Sequence, residues 1–270
     1  MTMKTKIFAV LNLLAFAFHL ILSYLVQIKY FSVLDVGQVS ARYDTVFAPA
    51  GITFAIWGVI YLALFAFSLF HLYTAFAKSD IQHTNLDTQN IGWYFIVNNL
   101  ATGLWLVAWV NEYLFISVIL ILIQLLTLGI ISVKAHISNP ARTVSTKIFT
   151  QFPLSIYFAW ICIATIANIS AYLKSVNWSG AGISESYWVI IMIGTATLIS
   201  LFIILVRRNV PFGLVVLWAL YGIVLKRQQV SPIDFEIVIN AAYAAFAVIL
   251  LALIIRIVSR SKSDKKLINS

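Results

Sequence analysis

Between Ile91 and Val133 the chain runs for 43 residues with a single charged side chain, Glu112. As one helix this stretch would measure about 65 Å, roughly twice the hydrocarbon core of a bilayer, so it must fold back on itself. Asn111 and Glu112 mark the turn. Only lipid tolerates apolar surface on that scale, and the remainder of the sequence agrees. Charged residues make up 10% and hydrophobic residues 62% of the chain, with a mean hydropathy of +0.97, whereas soluble domains carry about 25% charge. The expected class is all-α, a polytopic integral membrane helical bundle.

Six further apolar runs bring the count to eight transmembrane helices: a first run to Val26, then Ile52 to Ala77, Phe149 to Leu173, Tyr187 to Val206, Val210 to Val224, and Glu236 to Ile255. The opening MTMKTK has the basic start of a secretory signal. Its apolar run is too long for a signal core and no small-x-small site closes it before Gln27 and Lys29, so it reads as a retained span. With the N-terminus inside, 13 Lys and Arg fall in inside segments and 5 in outside segments. This places both termini in the cytoplasm of an inner or plasma membrane, whereas seven spans would send the basic tail outside. The net charge of +9 is thereby topogenic, and nucleic acid is not an expected partner. Cys162, the one cysteine, lies inside an apolar run, so no disulfide framework exists.

Ionisable groups narrow the chemistry. None of the nine acids lies in the interior of a span, each being at a helix end, in a loop or in the tail, which disfavours a proton-coupled carrier, because coupling charge normally needs an intramembrane carboxylate or base. His19 reads as the one imidazole well inside a span, either bonded to a neighbouring helix or serving as a haem or metal ligand. A paired haem site would need a second histidine facing it. Asp80, His83 and Asp87 have metal-ligand identities, but they lie in a polar connector from Lys78 to Asn90 with no second cluster to support them. No nucleophile and base stand together at membrane depth. An enzyme is not expected, and no metal or cofactor is required.

Aromatic patterning is the positive signal. Pro49 and Gly51 form a turn at which a polar loop becomes an apolar helix, and Phe54, Trp57 and Tyr61 follow at i, i+3 and i+7, on one helical face. In the fifth span Tyr157, Trp160, Ala164 and Asn168 share a stripe at i, i+3, i+7 and i+11. A small residue among rings makes a recess, so this stripe is expected to face inward, and Asn98, Asn99, Thr102 and Gln124 are polar groups at the same depth in the third and fourth spans. The loop from Lys29 to Ala48 carries Tyr30, Phe31, Tyr43 and Phe47 and is long enough for a lid.

These residues resemble the tryptophan-rich sensory protein and translocator protein family (TspO/MBR). That family opens its second helix with a Pro-Pro-Gly-Trp-x-Phe-x-x-x-Trp-x-x-x-Tyr type motif. Pro49, Gly51, Phe54, Trp57 and Tyr61 stand in register with it, while Ala50 replaces the second proline and Ile52 the first tryptophan. The fifth-helix pattern Pro-Tyr-x-x-Trp-x-x-x-Ala-Thr-x-x-Asn is matched by Tyr157, Trp160, Ala164, Thr165 and Asn168, with Ile156 at the proline position. In the third helix Trp105 fits an Asn-x-x-Trp pattern, with Thr102 in place of its Asn.

The resemblance divides the chain into a five-helix membrane domain over 1–173, three additional helices over 174–260 and a basic cytoplasmic tail over 261–270. In the last span Ala241 and Ala245 form a small-residue face suited to close helix contact. Membrane lipids and a second copy in a homodimer are expected partners. The resemblance also implies a flat lipophilic ligand, porphyrin, tetrapyrrole or sterol-like, bound for sensing or transport. Trp57 and Trp160 would be stacking walls, Phe54 and Tyr157 apolar flanks, Asn168 a polar anchor, and Tyr61, Trp105, Pro49, Gly51 and Ala164 further lining. The alternative is a transport or structural component that has lost the pocket and whose added helices contact a partner.

Overall fold

The computed structural model describes residues 2–77 and 82–268. Among them eight helical segments are long and apolar enough to cross a membrane: Met3–Gln27, Gly51–Phe76, Leu86–Val110, Leu114–Lys134, Val144–Ser175, Glu185–Val206, Val210–Val230 and Glu236–Ser259. No strand occurs among the described residues. In lipid a backbone has no water to bond, and the helix satisfies its own N–H and C=O groups, so this is the architecture the apolar runs demand.

By packing, the chain forms two compact units. The first comprises Met1–Thr45 and Phe54–Trp178. Its elements are α1 (Met3–Gln27), a short α2 (Val36–Arg42), α3 (Ile56–Phe76), α4 (Gln82–Val110), α5 (Leu114–Lys134) and α6 (Phe152–Ser175). The five long helices close into a ring in the order α1, α4, α5, α6, α3, each packed on the next and α3 returning to α1. At Gly103 of α4 a β-carbon would stand 2.9 Å from Leu22 Cδ1 and 3.1 Å from Phe18 Cε1, so the bare backbone lets α1 and α4 approach closely. Between α4 and α5, Asn98 Nδ2 donates to the Gln124 carbonyl at 3.1 Å and to Thr127 Oγ1 at 2.9 Å.

The expected turn is present: α4 ends at Val110, and Glu112 adopts a left-handed backbone with φ of 61° before α5 begins. The loop expected as a lid contains α2. Asp35 caps it by accepting from the Gln38 N–H at 2.8 Å, while the Gln38 side chain accepts from the Asp35 N–H at 2.9 Å, a reciprocal capping box. Glu112 receives Arg42 Nη1 and the Tyr43 hydroxyl, each at 2.6 Å. The bond to that carboxylate, followed by partial burial and its charge, raises the Tyr43 pKa above the ordinary phenol value.

The second unit comprises Val46–Thr53 and Ser179–Ser270. It contains α7 (Glu185–Leu201), α8 (Val210–Val230) and α9 (Glu236–Ile268), with α9 packed against both others. Ala242, Ala245 and Ala252 are buried, so α9 spends its small-residue face within the unit. Helix α8 outlasts the expected Val224 by six residues, to Val230. The Arg227 guanidinium lies 5.0 Å from the centre of the Phe235 ring, and the charge is accommodated without ending the helix.

Polar residues at the span ends also bury. Asp87 sits in α4 rather than in a solvated connector, its side chain 1% exposed, and Arg142 Nη2 donates to it at 2.7 Å. Asp80 lies outside the described residues, as does the His83 side chain. Removing one member of such a pair leaves a buried charge, so Arg142→Ala should lower unfolding stability by about 3 kcal/mol. Asp87→Ala/Arg142→Ala should recover part of that loss in thermal unfolding of the purified protein.

Candidate functional site

Helices α3, α4 and α6 bring the aromatic residues of the first unit together. The Trp57 ring centre lies 6.2 Å from that of Trp160, the planes at 85°. It also lies 6.2 Å from Trp105, 6.2 Å from Tyr157 and 5.4 Å from Tyr61, while Phe54 meets Trp160 edge-on at 6.1 Å. Edge-to-face and tilted contacts at these separations suit the ring quadrupoles better than direct face-to-face overlap. Phe54, in the 3₁₀ turn before α3, and Trp57, in its first turn, thus meet the fifth span, and Trp57 and Trp160 are both buried.

The cluster has a polar edge. Trp105 Nε1 donates to Asn168 Oδ1 at 2.8 Å, and Asn168 Nδ2 donates to Ser117 Oγ at 2.8 Å. An indole N–H only donates, so the orientation of the Asn168 amide is fixed. Ser117 passes its own proton to the Leu114 carbonyl at 2.7 Å. Thr102 gives its proton to the Asn98 carbonyl at 2.8 Å, so the Tyr157 hydroxyl is the donor in their 2.6 Å bond. Within this saturated edge one group is unmet: Trp160 Nε1 is buried and has no acceptor.

Two histidines lie in the first unit at membrane depth. His19 Nδ1 stands 3.1 Å from Asn99 Oδ1, and Asn99 Nδ2 is occupied by the Phe95 carbonyl at 2.9 Å. The proton is therefore on His19 Nδ1, leaving Nε2 a buried acceptor without a partner, on a ring that meets Tyr61 edge-on at 5.0 Å. His71, in α3, is equally buried, and the sequence pattern overlooked it because it falls near the end of an otherwise apolar run. Its Nδ1 meets Thr88 Oγ1 at 2.7 Å and its Nε2 meets Thr150 Oγ1 at 2.9 Å. Thr88 donates onward to the Thr84 carbonyl at 3.0 Å, so His71 donates from Nδ1 and accepts at Nε2, with both nitrogens satisfied.

Of the ten residues expected to line a site, Phe54, Trp57, Tyr61, Trp105, Tyr157, Trp160 and Asn168 belong to this constellation of rings and bonds. Ala164 lies one turn beyond Trp160 and is half-buried. Pro49 and Gly51 belong to the second unit, Pro49 buried and Gly51 exposed. Two contributors went unread: Trp109 stacks on Trp105 at 5.7 Å and 19° and donates to the Val36 carbonyl of α2 at 3.0 Å, and Ser117 orients Asn168. Thr102, expected as a polar group at this depth, receives Tyr157. The i, i+4 spacing of Trp105 and Trp109 was the available signal for the first.

A multi-pass helical membrane protein with an aromatic core between spans two, three and five is the class this geometry defines. The sequence matches the family described as TSPO-like protein over residues 9–255, and the chain belongs to that family. The match crosses all eight spans, so the last three helices lie within the family pattern. No curated protein and no solved structure matches the chain.

The two indoles make a paired prediction. Trp105→Phe strips Asn168 of its donor and should cost about 1–2 kcal/mol, since a buried acceptor is left unmet. Trp160→Phe removes an N–H that has no acceptor, so relief of that donor offsets part of the lost ring packing and its cost should be smaller than that of Trp105→Phe. Denaturant unfolding followed by circular dichroism distinguishes the two.

Proposed function

We propose that the first unit binds a flat lipophilic ligand, a porphyrin, other tetrapyrrole or sterol-like molecule, against the Trp57 and Trp160 indoles, and serves in sensing or transport of that ligand. The observation that carries this reading is the unmet Trp160 N–H inside a cluster of six aromatic rings. Leaving a buried donor unsatisfied costs about 1–3 kcal/mol, a cost that a ligand carbonyl or imine nitrogen would remove. Flat rings meeting aromatic walls add stacking contacts. Asn168 is already bonded to Trp105 and Ser117, so in this reading it acts by fixing the Trp105 ring rather than by reaching the ligand itself.

Helix α2 serves as the lid. Trp109 joins its Val36 carbonyl to the indole stack, and Glu112 holds Arg42 and Tyr43. The charge asymmetry of the connecting segments supports cytoplasmic termini in an inner or plasma membrane.

One observation favours a second reading, a structural or interaction component without a ligand: the rings pack on one another, and all the polar edge except Trp160 is satisfied within the protein. Titrating the purified full chain in nanodiscs with protoporphyrin, followed through the Soret band, separates the two. Saturable binding weakened at least tenfold by Trp57→Ala and by Trp160→Ala is expected, with Ala164→Phe also weakened by steric filling. Equal binding by wild type and Trp57→Ala/Trp160→Ala places the ligand elsewhere, and no binding by wild type supports the second reading.

A further inference from the structure

The stretch that leads into α3 packs with the C-terminal helices rather than with the unit whose aromatic face it precedes. Residues 45–50 are irregular, yet Thr45, Val46, Phe47, Ala48, Pro49 and Ala50 are all buried. Non-helical backbone among membrane spans persists only where protein satisfies its polar groups. Three bonds do so here. The Val46 N–H donates to Glu185 Oε1 at 2.7 Å, the Ala50 N–H to the Gly222 carbonyl at 2.9 Å, and Trp218 Nε1 to the Thr53 carbonyl at 3.0 Å.

The fit at α8 depends on a missing side chain. A β-carbon on Gly222 would stand 2.1 Å from Thr53 Oγ1 and 3.0 Å from Pro49 Cβ. Glycine is a poor helix residue, so its presence within α8 calls for a packing reason, and the seat of residues 49–53 supplies one. The departures from the TspO/MBR motif fall in the same place. Proline has no N–H, and Ala50, standing where that motif has its second proline, is the residue whose N–H reaches Gly222. Ile52, standing for the motif tryptophan, is 59% exposed. Helix α3, for its part, starts without a side-chain cap, its N-cap being Ala55.

We propose that α7 and α8 hold residues 46–53, and that Glu185, Trp218 and Gly222 are thereby, through the covalent step from Thr53 to Phe54, positioning residues for Phe54 and Trp57. Residues 46–53 are the held segment, and the chain passes from Thr53 directly into Phe54 through the 3₁₀ turn Gly51–Ala55. The segment-holding part stands on the contacts alone; the consequence for ligand affinity rests on the reading of the aromatic cluster as a binding site.

The test uses the full chain in nanodiscs and four forms: wild type, Gly222→Ala, Thr53→Ala and Gly222→Ala/Thr53→Ala. Thr53 Oγ1 has no hydrogen-bond partner, so its loss alone should be silent. Hydrogen exchange at the Val46 and Ala50 amides should be slow in wild type and Thr53→Ala, at least tenfold faster in Gly222→Ala, and slow again in the double variant. Ala50→Pro, which deletes the donor without touching Gly222, should speed exchange at Val46. The affinity for protoporphyrin should follow: about tenfold weaker in Gly222→Ala and within about twofold of wild type in the double variant.

A residue important only for helix formation gives the opposite result, because alanine favours helix over glycine and Thr53→Ala has nothing to rescue. Unchanged exchange in Gly222→Ala overturns the proposal whether or not porphyrin binds. Changed exchange with unchanged porphyrin affinity overturns the positioning of Phe54 and Trp57. Absence of porphyrin binding in wild type, with exchange behaving as expected, overturns the ligand reading and leaves the segment-holding role standing.

Discussion

Lipid offers no hydrogen bonds, and the first unit is arranged around that fact. Asn168 is its clearest expression: one amide takes the Trp105 indole proton from α4 and gives its own to Ser117 of α5, joining three spans at one point. Bonds of this kind contribute only about 0.6 kcal/mol each on average, because polar groups in a loosened bundle also find partners. Their effect is specificity of register more than stability. Rotating α6 by one residue would break both bonds and carry Trp160 off Trp57. Asn98 does the same between α4 and α5, as His71 does between α3 and the helices bearing Thr88 and Thr150.

A group that departs from this rule stands out against it. His71 has both nitrogens engaged, His19 only one, and Trp160 has its N–H unengaged. All three are buried among apolar neighbours, so the difference is not one of environment but of supply. Among the unmet groups, His19 Nε2 and Trp160 Nε1 lie along one face that runs from His19 through Tyr61 and Trp57 to Trp160, whose ring contacts are continuous.

Much of the fold was legible because membrane helices announce themselves by length and apolarity. The fold-back at Asn111 and Glu112 followed from a run too long for one crossing. Helix ends were less legible where a charged residue finds an internal partner: α8 continues through Lys226 and Arg227 since Arg227 folds over Phe235. Asp87 looked like connector surface for the same reason, its partner Arg142 being 55 residues away. In the cluster, helical spacing identified Phe54, Trp57, Tyr61, Tyr157 and Trp160. Spacing along one helix carries no information about what stands opposite, so the bonds of Ser117 to Asn168, Tyr157 to Thr102 and Trp109 to Val36 emerged only in three dimensions. Pro49 and Gly51 were legible as a turn, but their allegiance to the C-terminal helices depends on Gly222, more than 170 positions later.

That distance has a consequence for biogenesis. At about 5–20 residues per second of synthesis, roughly ten to thirty seconds separate the emergence of Ala50 from that of its acceptor on α8. Throughout that interval the peptide groups of residues 46–53 have neither helix nor seat to answer them, and hydrocarbon is closed to them. The nascent stretch must therefore wait at the wet headgroup surface or in the care of the insertion machinery, and a ribosome stalled before the seventh span would leave the entrance to the second one unmoored.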